Sequence, residues 1–276
     1  MSARQLDEKS YKQFRTFLEQ QCGIVLGENK QYLVKSRLAP LMAKFNIDSL
    51  SELVNKTLNP VERKMRATVI DAMTTNETLW FRDDYPFKLL QSKLLPDFSE
   101  NKMPVKIWSA ASSSGQEPYS IAMSVLEYQQ KYPKAFPRGV QVTGTDISTT
   151  MLEHCKYAHY DKLALARGLS SERKKKFFEV GDNDMLKVKS QVKSLVNFRP
   201  LNLLNSFSLM GRFDIVFCRN VLIYFSPEIK SQIISQIHGA LNSGGYLFLG
   251  ASESLSGINQ DFNMLRCNPG IVYQKK

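Results

Sequence analysis

Polar side chains follow a predicted buried strand near the C-terminal end of the chain. Phe213–Cys218 is apolar except for Asp214, and Arg219 and Asn220 come directly after it, with Tyr224 four residues further on. In an open α/β sheet the carboxyl ends of the parallel strands form the edge at which a ligand binds. These residues therefore predict a ligand site that contains a guanidinium, an amide and an aromatic hydroxyl.

An earlier predicted strand opens into a loop of small residues, Ser109–Pro118 (SAASSSGQEP), ahead of a helix. Small residues let the backbone approach a ligand, and the free N–H groups of a helix start face it. Only Gly115 is glycine, so the pyrophosphate motif G-x-G-x-x-G is not indicated. Glu117 would repel a phosphate and attract an ammonium, although an acidic residue at this position is also a common helix cap.

The next predicted strand ends in Gly144–Ser148 (GTDIS). An acidic residue here is placed to accept hydrogen bonds from both hydroxyls of a ribose, although Asp146 before a serine is also a common helix cap. Asn202 and Leu203 follow a later strand and could border an adenine. The combination predicts a ligand with an ammonium and a ribose but no phosphate, a description that S-adenosylmethionine fits.

The elements that must position these residues alternate along the chain. From about Tyr85 onward, predicted strands and helices alternate, which favours an α/β fold with a doubly wound, mostly parallel sheet. The chain closes with Asn263–Cys267 and Ile271–Gln274, two short strands joined by a tight turn. By fold analogy, such an antiparallel C-terminal hairpin is typical of class I S-adenosylmethionine-dependent methyltransferases.

Two further pieces complete the predicted architecture. Residues 1–75 carry only helical patterns, beginning with Gln5–Gln21, and predict a small all-α N-terminal domain. Residues 76–276 form the sheet domain. Within it, residues 170–196 indicate an inserted basic helix followed by a small β-hairpin, with a basic surface loop as an alternative of comparable weight.

Composition limits the kind of partner. The formal net charge of +11 predicts an acidic partner, although a basic surface without special function has the same charge. The four cysteines and three histidines form no ligand pattern, so we expect no metal. No apolar run is long enough to span a membrane, and residues 1–14 lack the apolar core of a signal peptide. We therefore expect a cytoplasmic protein without membrane insertion.

Four motifs, taken in order, give the chain a resemblance to a known family. They are NET…FR at residues 76–82, SGQEPYS at 114–120, TDI at 145–147 and FCRNVLIYF at 217–225. The set resembles the CheR family, the chemotaxis receptor glutamate methyltransferases, over nearly the whole chain. The resemblance implies methyl transfer from S-adenosylmethionine to glutamate side chains of receptors, with S-adenosylhomocysteine as the other product.

The resemblance also implies roles for individual residues. Arg82 and Tyr224 would lie beside the transferred methyl as catalytic residues, Glu117 would bind the methionine ammonium, and Asp146 would bind the ribose. The implied cofactor-binding set is Asn76, Thr78, Arg82, Gly115, Glu117, Asp146, Asn202, Leu203, Arg219 and Asn220. A glutamate is already ionised at neutral pH, with a pKa of about 4.3, so the reaction needs alignment rather than a general base.

Contacts with the protein substrate are implied for the N-terminal domain. Lys30, Arg37 and Lys44 are spaced seven apart and share one face of a predicted helix within residues 29–47, a stretch without acidic residues. By itself this pattern favours a helix face that is exposed to solvent and has no binding role. Given the resemblance, the helix looks like one that grips the helical methylation region of transmembrane receptors, with recruitment to receptor arrays at the inner membrane. Hairpins that hold a receptor's C-terminal pentapeptide are longer and richer in glycine than Gly181–Val188, which favours a tail-independent enzyme.

Two other functions remain open at this point. A nucleic-acid methyltransferase would explain the charge and the fold. However, Arg219–Leu222 stands where the amino-methylating kinds carry Asn-Pro-Pro-Tyr, so we expect no nucleic-acid partner. A non-catalytic receptor adaptor is the second alternative, and the presence of Arg82, Glu117 and Asp146 together argues against it.

Overall fold

The computed structural model describes residues 6–276 and begins with four helices. Gln5, the predicted start of the first helix, lies outside the described residues. The four helices are α1 Glu8–Cys22, α2 Gln31–Phe45, α3 Leu50–Leu58 and α4 Arg63–Met73. Their buried apolar side chains form a core of their own. A separate core is consistent with a domain boundary between residues 75 and 76, which we propose.

Local sequence explains where these helices begin and end. The Ser49 hydroxyl accepts the Glu52 N–H at 3.1 Å and caps α3. Gly23 ends α1 in the left-handed conformation, with φ of 76°, which glycine adopts without steric strain. Pro40 lies inside α2, and the helix continues through it. Pro40 has no N–H to donate to the Ser36 carbonyl. Ser36 is exposed, so water can solvate this carbonyl instead.

The second part of the chain forms the predicted doubly wound sheet. Its seven strands, in the order β6-β2-β1-β7-β8-β10-β9, are parallel except for β10, which pairs antiparallel with both β8 and β9. The strands are β1 Val105–Ala110, β2 Val140–Asp146, β6 Val196–Pro200, β7 Phe213–Cys218, β8 Leu241–Leu249, β9 Phe262–Arg266 and β10 Ile271–Lys275. The class I methyltransferase architecture, with its C-terminal antiparallel hairpin, is confirmed.

Helices cover both faces of this sheet. They are α5 Tyr85–Leu89, α6 Leu95–Phe98, α7 Gln116–Lys131, α8 Thr149–Tyr157 and α12 Pro227–Ala240, with a π-helical turn at Leu90–Leu94. Successive residues of β7 point to opposite faces, since Phe217 packs in the core with α7 whereas Val216 packs in the core with α12. A strand buried on both faces is apolar throughout, which is why Phe213–Cys218 was predicted with the bounds observed.

The inserted region is larger than its sequence pattern indicated. Residues 159–193, called the insert from here on, form a separate three-stranded sheet in the order β3-β5-β4 with three short helices. Its elements are β3 His159–Tyr160, α9 Lys162–Ala166, α10 Ser171–Phe177, β4 Phe178–Val180, β5 Leu186–Val188 and α11 Ser190–Lys193. The predicted basic helix and hairpin are present. The third strand was missed because two residues carry no alternation pattern.

No helix between residues 6 and 276 is both long enough and apolar enough to cross a bilayer.

Candidate active site

A cavity of 280 Å³ lies at the carboxyl ends of β6, β2, β1 and β7, where the strand order reverses. This is the position at which open α/β sheets bind ligands, and the volume is near the lower end, about 300 Å³, for small-molecule sites. Five stretches supply most of the lining: residues 24–27, 73–78, 111–113, 201–203 and 219–221.

Asp146 ends β2 at this cavity and is fixed by the neighbouring backbone. Its Oδ2 accepts the Ser113 N–H at 2.8 Å, and its Oδ1 accepts the Ser148 N–H at 2.9 Å. Burial raises the pKa of the Asp146 carboxyl, and the two backbone donors oppose that rise. Each oxygen retains acceptor capacity, so the group is suited to accept hydrogen bonds from a diol.

Glu117 and Arg219 form an ion pair across the cavity wall. Arg219 Nη1 lies 2.9 Å from Glu117 Oε2, and the Ser109 hydroxyl donates to the other carboxylate oxygen at 2.8 Å. Arg219 also donates to Asp83 Oδ2 at 2.6 Å and to the Arg82 carbonyl at 2.8 Å. The Arg219 side chain is only 1 % exposed, and these anionic partners offset the cost of burying its charge.

The two residues predicted to lie beside the methyl group have few partners of their own. The Arg82 side chain makes one hydrogen bond within residues 6–276, to the Glu77 carbonyl at 3.4 Å. The Tyr224 hydroxyl has no hydrogen-bond partner in the same described range, and both side chains line the cavity. A guanidinium and a hydroxyl with free donors are available to bind a ligand at this place.

Glu253 holds the loop after β7 in shape and was not predicted. Its Oε2 accepts the N–H groups of Asn220 and Gly250, each at 2.7 Å, and its Oε1 accepts the Leu222 N–H at 2.8 Å. Asn220 has φ of 58°, a costly conformation for a residue other than glycine. The sequence feature that could have identified Glu253 is its place just after β8, at the same edge of the sheet as the other site residues.

The N-terminal domain closes the cavity, which the sequence did not indicate. The connection between α1 and α2 contributes Ile24, Val25, Leu26 and Gly27 to the lining. The Val25 N–H donates to the Tyr224 carbonyl at 3.0 Å. These four residues therefore form a roof over the site that the sheet domain alone does not provide.

Two further contacts fasten this roof to the sheet domain. Asn202 Nδ2 donates to the Gln21 carbonyl at 2.7 Å, and Gly23 packs so closely on Phe225 that an added Cβ would lie 2.7 Å from the ring. Glycine is therefore required at position 23 for packing as well as for its φ. Residues of both parts of the chain therefore line the cavity.

The structure brings most of the predicted site residues together. The predicted residues that line the cavity are Asn76, Thr78, Arg82, Glu117, Asp146, Asn202, Leu203, Arg219, Asn220, Tyr224, Lys30 and Arg37. Gly115 is not part of the lining, and it packs instead near Tyr160 and Cys155 with φ of 96°. Its contribution is the turn into α7, which places Glu117.

The predicted basic face of α2 needs a correction. The Arg37 guanidinium donates to the Met73 carbonyl, to the Thr74 carbonyl at 2.9 Å and to Thr75 Oγ1 at 2.8 Å. It ties α2 to the carbonyls exposed at the end of α4 and is not a free cation. Lys30 and Lys44 remain exposed, but only Lys30 lines the cavity.

Three of the four cysteines are buried in the structure. Cys22, Cys155 and Cys218 are buried free thiols, and burial raises the pKa of Cys22 to about 11. Within residues 6–276, no group of three or more His, Cys, Asp or Glu side chains is placed to hold a metal ion.

Comparison with known families assigns both parts of the chain. A family model described as "CheR methyltransferase, SAM binding domain" matches residues 76–271, and one described as "CheR methyltransferase, all-alpha domain" matches residues 9–74. The chain belongs to the CheR methyltransferase family. It is 59% identical to the "Chemotaxis protein methyltransferase" of Vibrio parahaemolyticus, over 100% of both chains. It is 51% identical to the "Chemotaxis protein methyltransferase Cher2" of Pseudomonas putida, again over 100% of both chains.

The residues of the cavity fit the cofactor that CheR methyltransferases use. S-adenosylmethionine carries an ammonium, a sulfonium and a ribose diol, and the cavity presents the carboxylates of Glu117 and Asp146. Ser112, whose hydroxyl is buried, is also among the residues that line the cavity. The chain is accordingly a methyltransferase that depends on S-adenosylmethionine.

Proposed function

We propose that this chain transfers the methyl group of S-adenosylmethionine to glutamate carboxylates in the cytoplasmic helical methylation region of transmembrane chemotaxis receptors. Relatives named chemotaxis protein methyltransferase support the biological setting. The inference that the substrate is a carboxylate rests on the hydrogen bonding of Arg82. Arg82 lines the same cavity as Tyr224, with most of its donors unused among the described residues, and a carboxylate is the group that a free guanidinium binds best.

The lining of the cavity contains no group suited to remove a proton from an amine or a hydroxyl. Histidine is absent from the described lining residues, and the lining carboxylates belong to Glu77, Glu117 and Asp146. Glu77 pairs with Arg167 at 2.8 Å, Glu117 pairs with Arg219, and Asp146 accepts two backbone N–H groups. A nucleophile that is already ionised, such as a glutamate side chain, suits this site better than one that must be deprotonated.

When bound, S-adenosylmethionine supplies an electrophilic methyl group on a sulfonium. We infer that Arg82 and Tyr224 orient the incoming carboxylate and that neither residue moves a proton. The roof, Ile24–Gly27, excludes water from the site. Exclusion of water favours a step in which an anion and a cation become a neutral ester and a neutral thioether.

The remaining residues of the cavity hold the cofactor in this proposal. Glu117 accepts hydrogen bonds from the methionine ammonium, and Asp146 accepts them from the ribose hydroxyls. Asn202 and Leu203 border the adenine. The other proposed contacts come from Asn76, Thr78, Arg219 and Asn220, all of which line the cavity.

Recruitment to receptor arrays at the inner membrane follows from the proposed substrate. Lys30, directly before α2, and Lys44, in its last turn, are exposed cations that would face an acidic receptor helix, whereas Arg37 is bonded within the protein. The turn between β4 and β5 is short, and we propose that the enzyme acts without a receptor's C-terminal pentapeptide.

One assay tests the proposed function. The protein is incubated with receptor-rich membranes and methyl-labelled S-adenosylmethionine, and the labelled protein is then treated with alkali. A glutamyl methyl ester releases volatile methanol. An alkali-stable label would indicate an amine substrate, and the absence of label would indicate an adaptor. Membranes whose receptors carry alanine at the methylated glutamates serve as the control and should take up no label.

A further inference from the structure

The backbone that leads into Arg82 is enclosed by the insert. The Trp80 N–H donates to the Arg167 carbonyl at 3.0 Å. Gly168 approaches so closely that an added Cβ would lie 2.0 Å from the Trp80 carbonyl oxygen. The edge of the Phe178 ring contacts Trp80, with the ring centroids 5.3 Å apart. Residues of the insert, which do not line the cavity, therefore hold the segment that carries Arg82.

Arg173 of the insert contacts Phe81, the residue that precedes Arg82 in the chain. Its guanidinium carbon lies 3.6 Å from the centroid of the Phe81 ring. The same guanidinium makes two parallel hydrogen bonds to Glu127, at 2.8 and 2.9 Å, and Gln91 donates to Glu127 at 2.8 Å. Burial acts to raise the pKa of Glu127, but hydrogen bonds and the charge of Arg173 overcome it and the pKa is lowered.

Phe81 is held in a conformation that needs external support. Its φ is 49°, in the left-handed region, which costs a residue other than glycine about 1 kcal/mol or more. Its N–H donates to the Ser120 hydroxyl at 3.1 Å, and the next carbonyl, that of Arg82, accepts from Arg219 at 2.8 Å. The conformation of Phe81 therefore decides the direction in which the Arg82 side chain leaves the backbone.

We propose that Arg173 is a positioning residue for methyl transfer. Its guanidinium, held flat by Glu127, fixes the Phe81 ring and thereby the entry of Arg82 into the cavity. A lysine would keep the charge but could neither stack flat on the ring nor make two parallel hydrogen bonds to Glu127. The inference rests on the proposed function only through the role of Arg82, and it gives Arg173 of the insert a role in positioning that residue.

The test compares Arg173→Lys with the wild type in the full-length protein. We expect kcat with receptor-rich membranes to fall about ten-fold, since small displacements of an orienting group cost one to two orders of magnitude. The Kd for S-adenosylhomocysteine should change less than about two-fold, because Glu117 and Asp146 are undisturbed. Without any ligand, hydrogen exchange of the amides of Trp80 and Phe81 should become faster. Lys174→Gln is the matched control, since this neighbouring cation makes no side-chain hydrogen bond or ion pair within residues 6–276.

Two results would overturn the inference. One is an Arg173→Lys protein with the wild-type kcat and the wild-type exchange pattern. The other is an activity per S-adenosylhomocysteine-binding site that equals that of the wild type. The lower total activity would then reflect a smaller folded fraction, and Arg173 would only support folding. Should Arg173→Lys not fold, Glu127→Gln carries the same test with Arg173 left in place. If wild-type protein forms no methyl ester, the proposed function fails, and the exchange measurement still decides whether Arg173 orders Phe81.

Discussion

Arg219 Nη1 and Glu117 Oε2 lie 2.9 Å apart, although 102 positions separate the two residues in the chain. The contact joins the loop after β7 to the first turn of α7. It also connects the proposed ammonium-binding carboxylate to Arg82, whose carbonyl accepts from the same guanidinium. A change in the charge of Glu117 should therefore affect cofactor binding directly and the Arg82 segment indirectly.

Glu117→Gln should weaken binding of S-adenosylhomocysteine by about ten-fold or more, since hydrogen bonds between charged groups contribute about 1.5–3 kcal/mol. Binding of 5′-methylthioadenosine, which lacks the amino-acid part, should change little. Both Kd values can be measured by titration calorimetry. Asp146→Asn is the matched comparison and should weaken both ligands, since the ribose is common to them. Equal losses for both ligands in Glu117→Gln would contradict the assignment of the ammonium to Glu117.

Tyr224→Phe should reduce kcat by about ten-fold without abolishing the reaction, which is the expected effect of one orienting hydrogen bond in the transition state. The Kd for S-adenosylhomocysteine should stay close to the wild-type value, and rates of methyl ester formation give kcat. A complete loss of turnover with intact cofactor binding would show that the hydroxyl takes part in the chemistry.

Gly23→Ala should destabilise the docking of the N-terminal domain. The substitution adds the strain of a positive φ, about 1–2 kcal/mol, and pushes a methyl group into the Phe225 ring. We expect a lower Tm and weaker binding of S-adenosylhomocysteine, because the roof must move. Gly139→Ala is the control, with φ of 82° and no atom within 4 Å of an added Cβ. Gly139→Ala should lose Tm through the same backbone strain and bind S-adenosylhomocysteine with the wild-type affinity. If both variants bind S-adenosylhomocysteine equally well, the position of the roof does not affect cofactor binding.

The thiols should differ sharply in reactivity at pH 8. With a pKa of about 11, Cys22 is about 0.1% thiolate at that pH, and Cys155 and Cys218 are raised further by burial. A thiol reagent should label Cys267 first, and labelling of Cys22 should speed up as the pH rises towards 11. Mass spectrometry of labelled peptides gives the rates, and Cys267→Ser should remove the fast phase. Rapid labelling of Cys155 in the folded protein would contradict the burial of its thiol.

The elements of the sheet domain could be predicted because each one repeats its pattern over several residues. Phe213–Cys218 is apolar on both faces and ends at a charged residue, so its bounds agree with the structure. The strand His159–Tyr160 has only two residues and pairs with β5 through contacts far along the chain. No local pattern could identify it, and the insert was therefore predicted too small.

The meeting of several predicted site residues in one cavity was foreseeable for a related reason. Glu117, Asp146 and Arg219 each follow a predicted strand, and parallel strands bring their carboxyl ends to one edge. The contacts of Arg37 could not be predicted from its position in the sequence. Its spacing from Lys30 and Lys44 describes one helix face, whereas its partners are carbonyls at the end of a different helix.

The alternation of strands and helices along the chain, the class of the fold and the residue types available for chemistry were determined by the sequence itself, since periodicity and side-chain chemistry are local properties. The tertiary structure decided which of these groups meet. Asn202 reaches Gln21 across 181 positions, the Ile24–Gly27 roof covers a site built by the other domain, and Arg219 pairs with Glu117. Such contacts depend on how separate layers pack against each other, and packing is set by the shape of the whole core rather than by any one segment.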